Sequence, residues 1–278
     1  MSASPRRAAG GLLTRLVPPL GYVAHFAGLA LLGVMLLAAT AYMYVRLPWM
    51  RPAARRRFAR RVAASTFDAY LRALRAMGLV DADTAALDAL QREHALVIVP
   101  NHPSLLDAVM VISRLPNASC IMKAGLSSNL FLGPGARALG YIRNDSLRSM
   151  IRRSIEDLRV GGHLLIFPEG TRTIEPPIDR LRGAFALIAK QAQVPIQLVI
   201  IETESGFLGK GWPLWRKPAF PVRYRVRLGP RVQPQGSVEE IVATVRAQFE
   251  HELGRPPLPA AAPAPHAAGA RQIAQTRA

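Results

Sequence analysis

Two residue clusters in this sequence have the types and spacing of acid–base and anion-binding chemistry. The first follows the apolar run Val97-Ile98-Val99-Pro100, where His102 and Asp107 stand five residues apart in Asn101-His102-Pro103-Ser104-Leu105-Leu106-Asp107. An imidazole oriented by a carboxylate can take a proton from a hydroxyl. The second cluster is Phe167-Pro168-Glu169-Gly170-Thr171-Arg172. A strand ending in a Gly-bearing turn offers backbone N–H groups to an anion, and Arg172 adds a planar fork suited to phosphate. Glu169 is placed to orient that arginine or a substrate hydroxyl, with Gly170 and Thr171 between them. Each cluster also has a plain reading: a polar helix cap with a solvated Asp for the first, an ordinary turn for the second.

The elements that must hold these residues can be read from the apolar pattern. Leu96 to Val99 is short, β-branched and uncharged, as a buried strand is. Pro103 suits the first helical position, where its missing N–H is not needed, and this places His102 at the cap. On a continuous helix a spacing of five separates two side chains by about 140°. A capping His can instead fold back over the first turn towards Asp107. Further strands are expected at Cys120 to Lys123, Gly140 to Ile142, His163 to Phe167 and Val194 to Ile201. Lys123, closing the second of these, can meet an anion or simply be solvated. Helices are expected after Asn144 or Asp145, with Leu147, Ile151, Ile155 and Leu158 inside and Arg148, Arg152 and Arg153 outside, and from Arg182 to Ile188. Asp81 to Glu93 reads as a short helix, and Val222 to Leu228 as a half-exposed strand near a sheet edge. Ser237 and Glu240 form a capping box for a last helix that Gly254 ends. Alternating strand and helix argue for an α/β domain with a mostly parallel central sheet.

Composition limits the surroundings in which that domain works. Lys and Arg number 36 against 18 Asp and Glu, a formal charge of +18, so the chain attracts polyanions. Those polyanions are nucleic acid, anionic lipid headgroups or an acidic carrier protein, and with 50% hydrophobic residues and positive mean hydropathy a nucleic-acid arm is less natural than a membrane surface. The single cysteine, Cys120, lies in an apolar run and excludes an internal disulfide. No charged residue occurs between Arg15 and Arg46, and Gly21 to Val45 has the length and polarity of a membrane helix. Seven arginines from Arg46 to Arg61 follow it, against Arg6, Arg7 and Arg15 before it, which predicts that the C-terminal side faces the cytoplasm. Pro18, Pro19 and the glycines of this stretch also permit a re-entrant helix. The interleaved aromatic and basic residues of 206–221 are of the kind found at a headgroup boundary. Residues 255–278, rich in Pro and Ala, read as a disordered tail.

With both clusters in this order and separation, the chain resembles the lysophosphatidic acid acyltransferase family of membrane-associated glycerolipid acyltransferases. The resemblance covers roughly residues 90 to 230. It implies an N-terminal membrane anchor and basic flank over 1–61, an acyltransferase domain over 62–254 with the glycerolipid-acyltransferase-like α/β fold, and a location at the inner membrane with the catalytic domain facing the cytoplasm. The implied reaction moves an acyl group from acyl-CoA or acyl carrier protein to a lyso-lipid hydroxyl, 1-acylglycerol-3-phosphate first among acceptors, with no cofactor and no metal. His102 is then the general base and Asp107 its orienter. Glu169 and Arg172, with Gly170 and Thr171, form the acceptor or phosphate site, and Lys123 and Arg143 are further ligands. Arg182-Gly183 belongs to the family's surroundings of the site, and the apolar residues of 125–139 are placed to line an acyl-chain site. Two blocks depart from the family pattern. The second usually reads Gly-x-x-Phe-Ile-x-Arg, whereas Gly140-Tyr141-Ile142-Arg143-Asn144 is compressed and sets its arginine out of register. The fourth usually has another proline after Val-Pro-Ile, where this chain has Gln197. Both bear on acceptor recognition, so a lyso-ornithine lipid or a polyene-type lipid alcohol would serve the same chemistry. A non-catalytic binder of anionic lipid explains the charge but not the placed His and Asp. A hydrolase needs a nucleophile, and the chain has no Gly-x-Ser-x-Gly elbow.

Overall fold

The computed structural model describes residues 18–123, 125 and 133–254. Arg6, Arg7 and Arg15, the apolar residues Leu126, Leu130, Phe131 and Leu132, and the tail after 254 lie outside them.

Among the described residues seven strands form one sheet: β1 (Val80–Asp83), β2 (Val97–Pro100), β3 (Ala118–Met122), β4 (Ile142–Arg143), β5 (His163–Leu165), β6 (Ile196–Thr203) and β7 (Val222–Val232). Their order is β1-β7-β6-β2-β5-β3-β4. β2 pairs parallel with β5 and β6, β3 with β4 and β5, and β1 with β7; only β6 and β7 run antiparallel. Buried on both faces, the central strands need no alternation, and Val97, Ile98 and Val99 are fully enclosed. β7 alternates buried Val222, Tyr224 and Val226 with more exposed arginines, and it stands one strand in from the edge that β1 provides.

Helices cover both faces. α1 (Pro18–Arg46), α2 (Pro52–Ala76) and α3 (Leu106–Arg114) lie on one face, around Tyr70, Leu74 and Met110. α4 (Gly133–Leu139) closes the end of this layer, with Leu139 against Met43 and Ala59. α5 (Leu147–Arg159), α6 (Ala184–Ala192) and α7 (Val238–Leu253) lie on the other face, around Leu158, Phe185 and Phe249.

α1 is long and apolar enough to cross a bilayer by length and composition. One side of it nevertheless packs on the domain over most of its length. Ala24, Leu31, Leu32 and Met35 meet the core, and Met43 sits against Ala59 and Ala63 of α2. Gly28 permits the closest approach: a Cβ there would lie 3.0 Å from Leu79 and 3.2 Å from Leu74, and the Gly28 carbonyl accepts from Tyr70 Oη at 3.2 Å. The other side leaves Val23, Val34 and Val45 each more than 60% exposed.

Several expected boundaries move. α2 starts at Pro52 and runs unbroken through residues 61 and 62, so the expected junction of anchor and domain falls inside a helix. Arg60, assigned to a basic flank, is buried and donates to Asp157 of α5 at 2.9 Å. Asp81 to Glu93 is not one helix: β1 takes Val80–Asp83 and a short 3-10 helix takes Ala85–Leu90. Ser146, rather than Asn144 or Asp145, caps α5. The capping box of α7 forms, with Ser237 accepting from the Glu240 amide and Glu240 from the Ser237 amide.

Candidate active site

The parallel strands deliver the candidate residues to one edge of the sheet, at their carboxyl ends, where open α/β sheets bind ligands. β2 ends at Pro100 and is pinned by Asn101, whose side chain donates to the Ile201 carbonyl at 2.9 Å and accepts the Ile201 amide at 2.7 Å. His102 follows on a loop, and α3 begins only at Leu106. Pro103 therefore does not occupy the first helical position. The reason is Asp107, whose Oδ2 reaches back to the Ser104 amide at 2.7 Å and takes the His102 Nδ1 hydrogen bond at 2.8 Å. One carboxylate oxygen thus shapes the turn and orients the imidazole.

The imidazole is held on several sides. Its ring stacks on Phe167 with centroids 3.8 Å apart, its amide donates to Glu169 Oε1 at 3.0 Å, and its carbonyl accepts the Thr173 amide at 2.8 Å. Nδ1 faces Asp107, so Nε2 is the nitrogen available to a substrate proton. The His102 side chain keeps 15% of its surface exposed, while Asp107 is fully enclosed. Burial is the main cause that pushes the Asp107 carboxyl up to about 6, against the hydrogen bonds from His102 and Ser104.

The turn after β5 brackets the same loop. Gly170 holds φ +72°, and a Cβ there would lie 2.7 Å from Arg182 Nε. Arg182 also donates its amide to the Pro168 carbonyl at 2.7 Å, tying the start of the α6 segment to the turn. Glu169 corrects the sequence expectation, because it pairs with neither Arg172 nor open space. Its Oε1 takes the His102 amide and Thr173 Oγ1, and its Oε2 takes the Asp179 amide at 3.1 Å. Burial raises its carboxyl above the ordinary range. Its position therefore braces His102 rather than offering a free carboxylate.

Arg172 Nη1 donates to the carbonyls of Leu208 and Gly209, both at 2.8 Å, which clamps the 206–210 loop over the turn. Lys210 Nζ donates to Thr171 Oγ1 at 3.1 Å, adding a second cation at the junction. The amides of Thr171 and Arg172 take no partner among the described residues. Lys123 and Arg143 share the carboxyl edge but not the site. They follow β3 and end β4, two and three strands from β2, roughly 10 and 14 Å away at ordinary strand spacing. Lys123 is exposed, and exposed Arg143 pairs with Asp145 at 3.0 Å.

Ser104 is no nucleophile in this arrangement. It is buried, donates to the Phe207 carbonyl at 3.0 Å and accepts from Tyr224 Oη at 3.0 Å. The amides of residues 104 to 107 are also spoken for, by Asp107 Oδ2, the Leu208 carbonyl, Ser104 Oγ and the Ser104 carbonyl in turn. The start of α3 therefore presents no oxyanion site from these four groups. Asn101 and Phe167 lie within the two sequence clusters without a role assigned to them there, Lys210 and Tyr224 lie outside both, and all four act through contacts made across the fold.

Fold and pair together give an α/β domain that sets an imidazole oriented by an enclosed carboxylate at the carboxyl edge of its sheet. Residues 83–202 match the family model described as Acyltransferase. Over 173 residues the chain is 30% identical to 1-acyl-sn-glycerol-3-phosphate acyltransferase alpha of Mus musculus, a match covering 56% of each protein. The chain thus spans about half the length of this curated relative. The crystal structure of the 1-acyl-sn-glycerophosphate (LPA) acyltransferase PlsC from Thermotoga maritima shares the fold, with a TM-score of 0.64 over 86% of this chain and 97% of that one at 19% identity.

Proposed function

We propose that this protein is a membrane-bound O-acyltransferase that moves a fatty acyl group from acyl-CoA or acyl carrier protein to the hydroxyl of a lyso-lipid, 1-acylglycerol-3-phosphate first among them. The observation that carries this reading is the enclosed Asp107 holding His102 Nδ1 at 2.8 Å, with Nε2 left to the substrate. In the proposed reaction His102 takes the acceptor hydroxyl proton, the alkoxide attacks the thioester carbonyl, and the C–S bond breaks as the ester forms. The proton returned by His102 leaves with the thiol. General-base assistance of this kind is worth roughly 10²–10⁴ in rate. A thioester is already activated, so no covalent step through Ser104 is needed, in accord with its buried, engaged hydroxyl.

Arg172 and Lys210, with the free amides of Thr171 and Arg172, form the proposed site for an acceptor phosphate. The apolar side of α1 opposite the domain is the proposed lipid contact, with exposed Trp49 after one end and exposed Leu214 and Trp215 beside the other. In this reading α1 lies side-on in the lipid at the inner membrane, with the site towards the cytoplasm. An assay of labelled acyl-CoA and labelled acyl carrier protein against a panel of lyso-lipids tests the reading. Acyl transfer to a hydroxyl supports it, release of free fatty acid marks a hydrolase, and no turnover with any pair marks a lipid binder. A lyso-ornithine lipid or polyene-type alcohol as sole acceptor would move the specificity and keep the chemistry.

A further inference from the structure

α5 presents an open groove on its outer side. Its inner side, Met150, Ser154 and Leu158, is buried, while Leu147, Ile151 and Ile155 at four-residue spacing floor an open groove of about 540 Å³ whose other wall includes Gln191 of α6. Arg148, Arg152 and Arg159 rim this groove, exposed Arg153 flanks it, and Glu156 is its one acidic lining residue. The Arg152–Glu156 pair, 3.9 Å apart with both side chains more than 60% exposed, leaves that positive rim essentially intact. We propose that this groove docks the acidic helix of an acyl carrier protein, which presents the acyl thioester to His102.

The charge and shape of the groove both point to this partner. An apolar floor with basic rims complements an amphipathic helix of opposite charge, the helix-in-groove mode of recognition. A flat lipid surface would not fill the concavity. The groove also lies on the α5–α7 face of the sheet, opposite the face on which α1 packs, so it is turned away from the apolar helix. Its N-terminal end, at exposed Leu147, directly follows β4 at the carboxyl edge that carries His102. β4 is three strands from β2, roughly 14 Å, so a long thioester arm can cross the sheet edge from the groove to the base.

The inference rests on the acyltransferase reading, and the test separates the two. The full-length protein in detergent micelles is given one lyso-lipid acceptor and the same acyl chain on either CoA or acyl carrier protein. The Arg148→Glu/Arg152→Glu variant is expected to lose about tenfold or more in kcat/KM with the carrier-protein donor and to keep the wild-type value with acyl-CoA. Wild-type turnover with the carrier protein should fall with added salt more steeply than the variant's. The milder Arg148→Gln/Arg152→Gln variant should show the same donor selectivity at smaller size, which guards against misfolding of the reversal. Equal losses with both donors, or no loss with the carrier protein, overturn the docking site. So does weakened binding to phosphatidylglycerol vesicles with unchanged donor kinetics, which would make the groove a lipid contact. If the wild type turns over neither donor, the acyltransferase reading fails by itself. Calorimetric titration with palmitoylated carrier protein then decides the docking: binding to wild type and not to the reversal variant supports it, and no binding to wild type overturns it.

Discussion

Replacing Asp107 by Asn separates what the carboxylate does for the chemistry from what it costs the fold. Its carboxyl is raised from 3.8 to about 6, so the folded state binds the proton more tightly than the unfolded chain. The sign is therefore opposite to that of a salt-bridged Asp: the group's stabilising contribution is complete below about 3.8 and is lost as pH rises through about 6. Above that, the enclosed charge costs about 3 kcal/mol. Asn is neutral throughout and removes this dependence. It also has a cost of its own, because its carbonyl must replace Oδ2, which serves both His102 and Ser104, and its amide then occupies the position of Oδ1, which is buried with no hydrogen-bond partner. An orphaned buried donor costs about 1–3 kcal/mol. Asp107→Asn should therefore be less stable than wild type at pH 4 by about that amount, and equal or up to about 2 kcal/mol more stable at pH 8. Turnover should fall by roughly 10²–10⁴, since the imidazole loses its counter-charge. Thermal unfolding in detergent across this pH range and steady-state kinetics at pH 8 measure both. Parallel stability curves for the two proteins would refute the raised carboxyl, and turnover within about tenfold of wild type would refute the pair. In the wild type, protonation of Asp107 should lower turnover as pH falls through about 6.

His102→Ala should reduce transfer by roughly 10²–10⁴ while binding to lipid vesicles stays unchanged, and appreciable residual turnover would remove it as the base. Glu169→Gln sets an amide against donors that both carboxylate oxygens now accept, so kcat should fall with the acceptor KM steady; a change confined to KM would return this residue to the substrate. Arg172→Ala should raise KM for a phosphorylated acceptor and loosen the 206–210 loop that it clamps, and an unchanged KM would argue against phosphate binding there. Arg60→Ala strands buried Asp157 and should cost about 3–5 kcal/mol in thermal or denaturant unfolding; a loss below about 1 kcal/mol would show that water reaches the pair.

The candidate pair was legible because its chemistry is local in sequence. His102 and Asp107 share one turn, Gly170 marks a turn that needs positive φ, and the apolar runs of β2 and β6 announce strands buried on both faces. The Pro103 error comes from a local side-chain contact, and the others come from contacts made further along the chain. Pro103 reads as a helix start until Asp107 is seen to claim the Ser104 amide. Glu169 reads as a free carboxylate until the His102 and Asp179 amides, 67 and 10 residues away in sequence, close on it. Arg172 meets main-chain carbonyls of Leu208 and Gly209, which leave no trace in residue type. Arg60 sits in an arginine-rich run whose other members are mostly exposed, and only the packing of α2 on α4 and α5 singles it out.

The same contacts bear on whether α1 is a detachable anchor. His25 of α1 is buried, donates through Nε2 to the Leu214 carbonyl at 2.7 Å, and sets its ring edgewise to Phe207 at 5.7 Å. The Phe207 carbonyl accepts from Ser104 Oγ, and the Ser104 amide donates to Asp107. Two residues thus separate the apolar helix from the carboxylate that orients the base. The 206–221 loop is held near its start by Arg172 and at its middle by His25, so it is shared between the Gly170 turn and the apolar helix. Loss of α1 would uncover Leu74, Leu79 and Tyr70 and free Phe207 at the same time. The proposed lipid contact through α1 and the proposed proton transfer at His102 therefore fall within one packed unit, in which the helix forms a wall of the α/β domain.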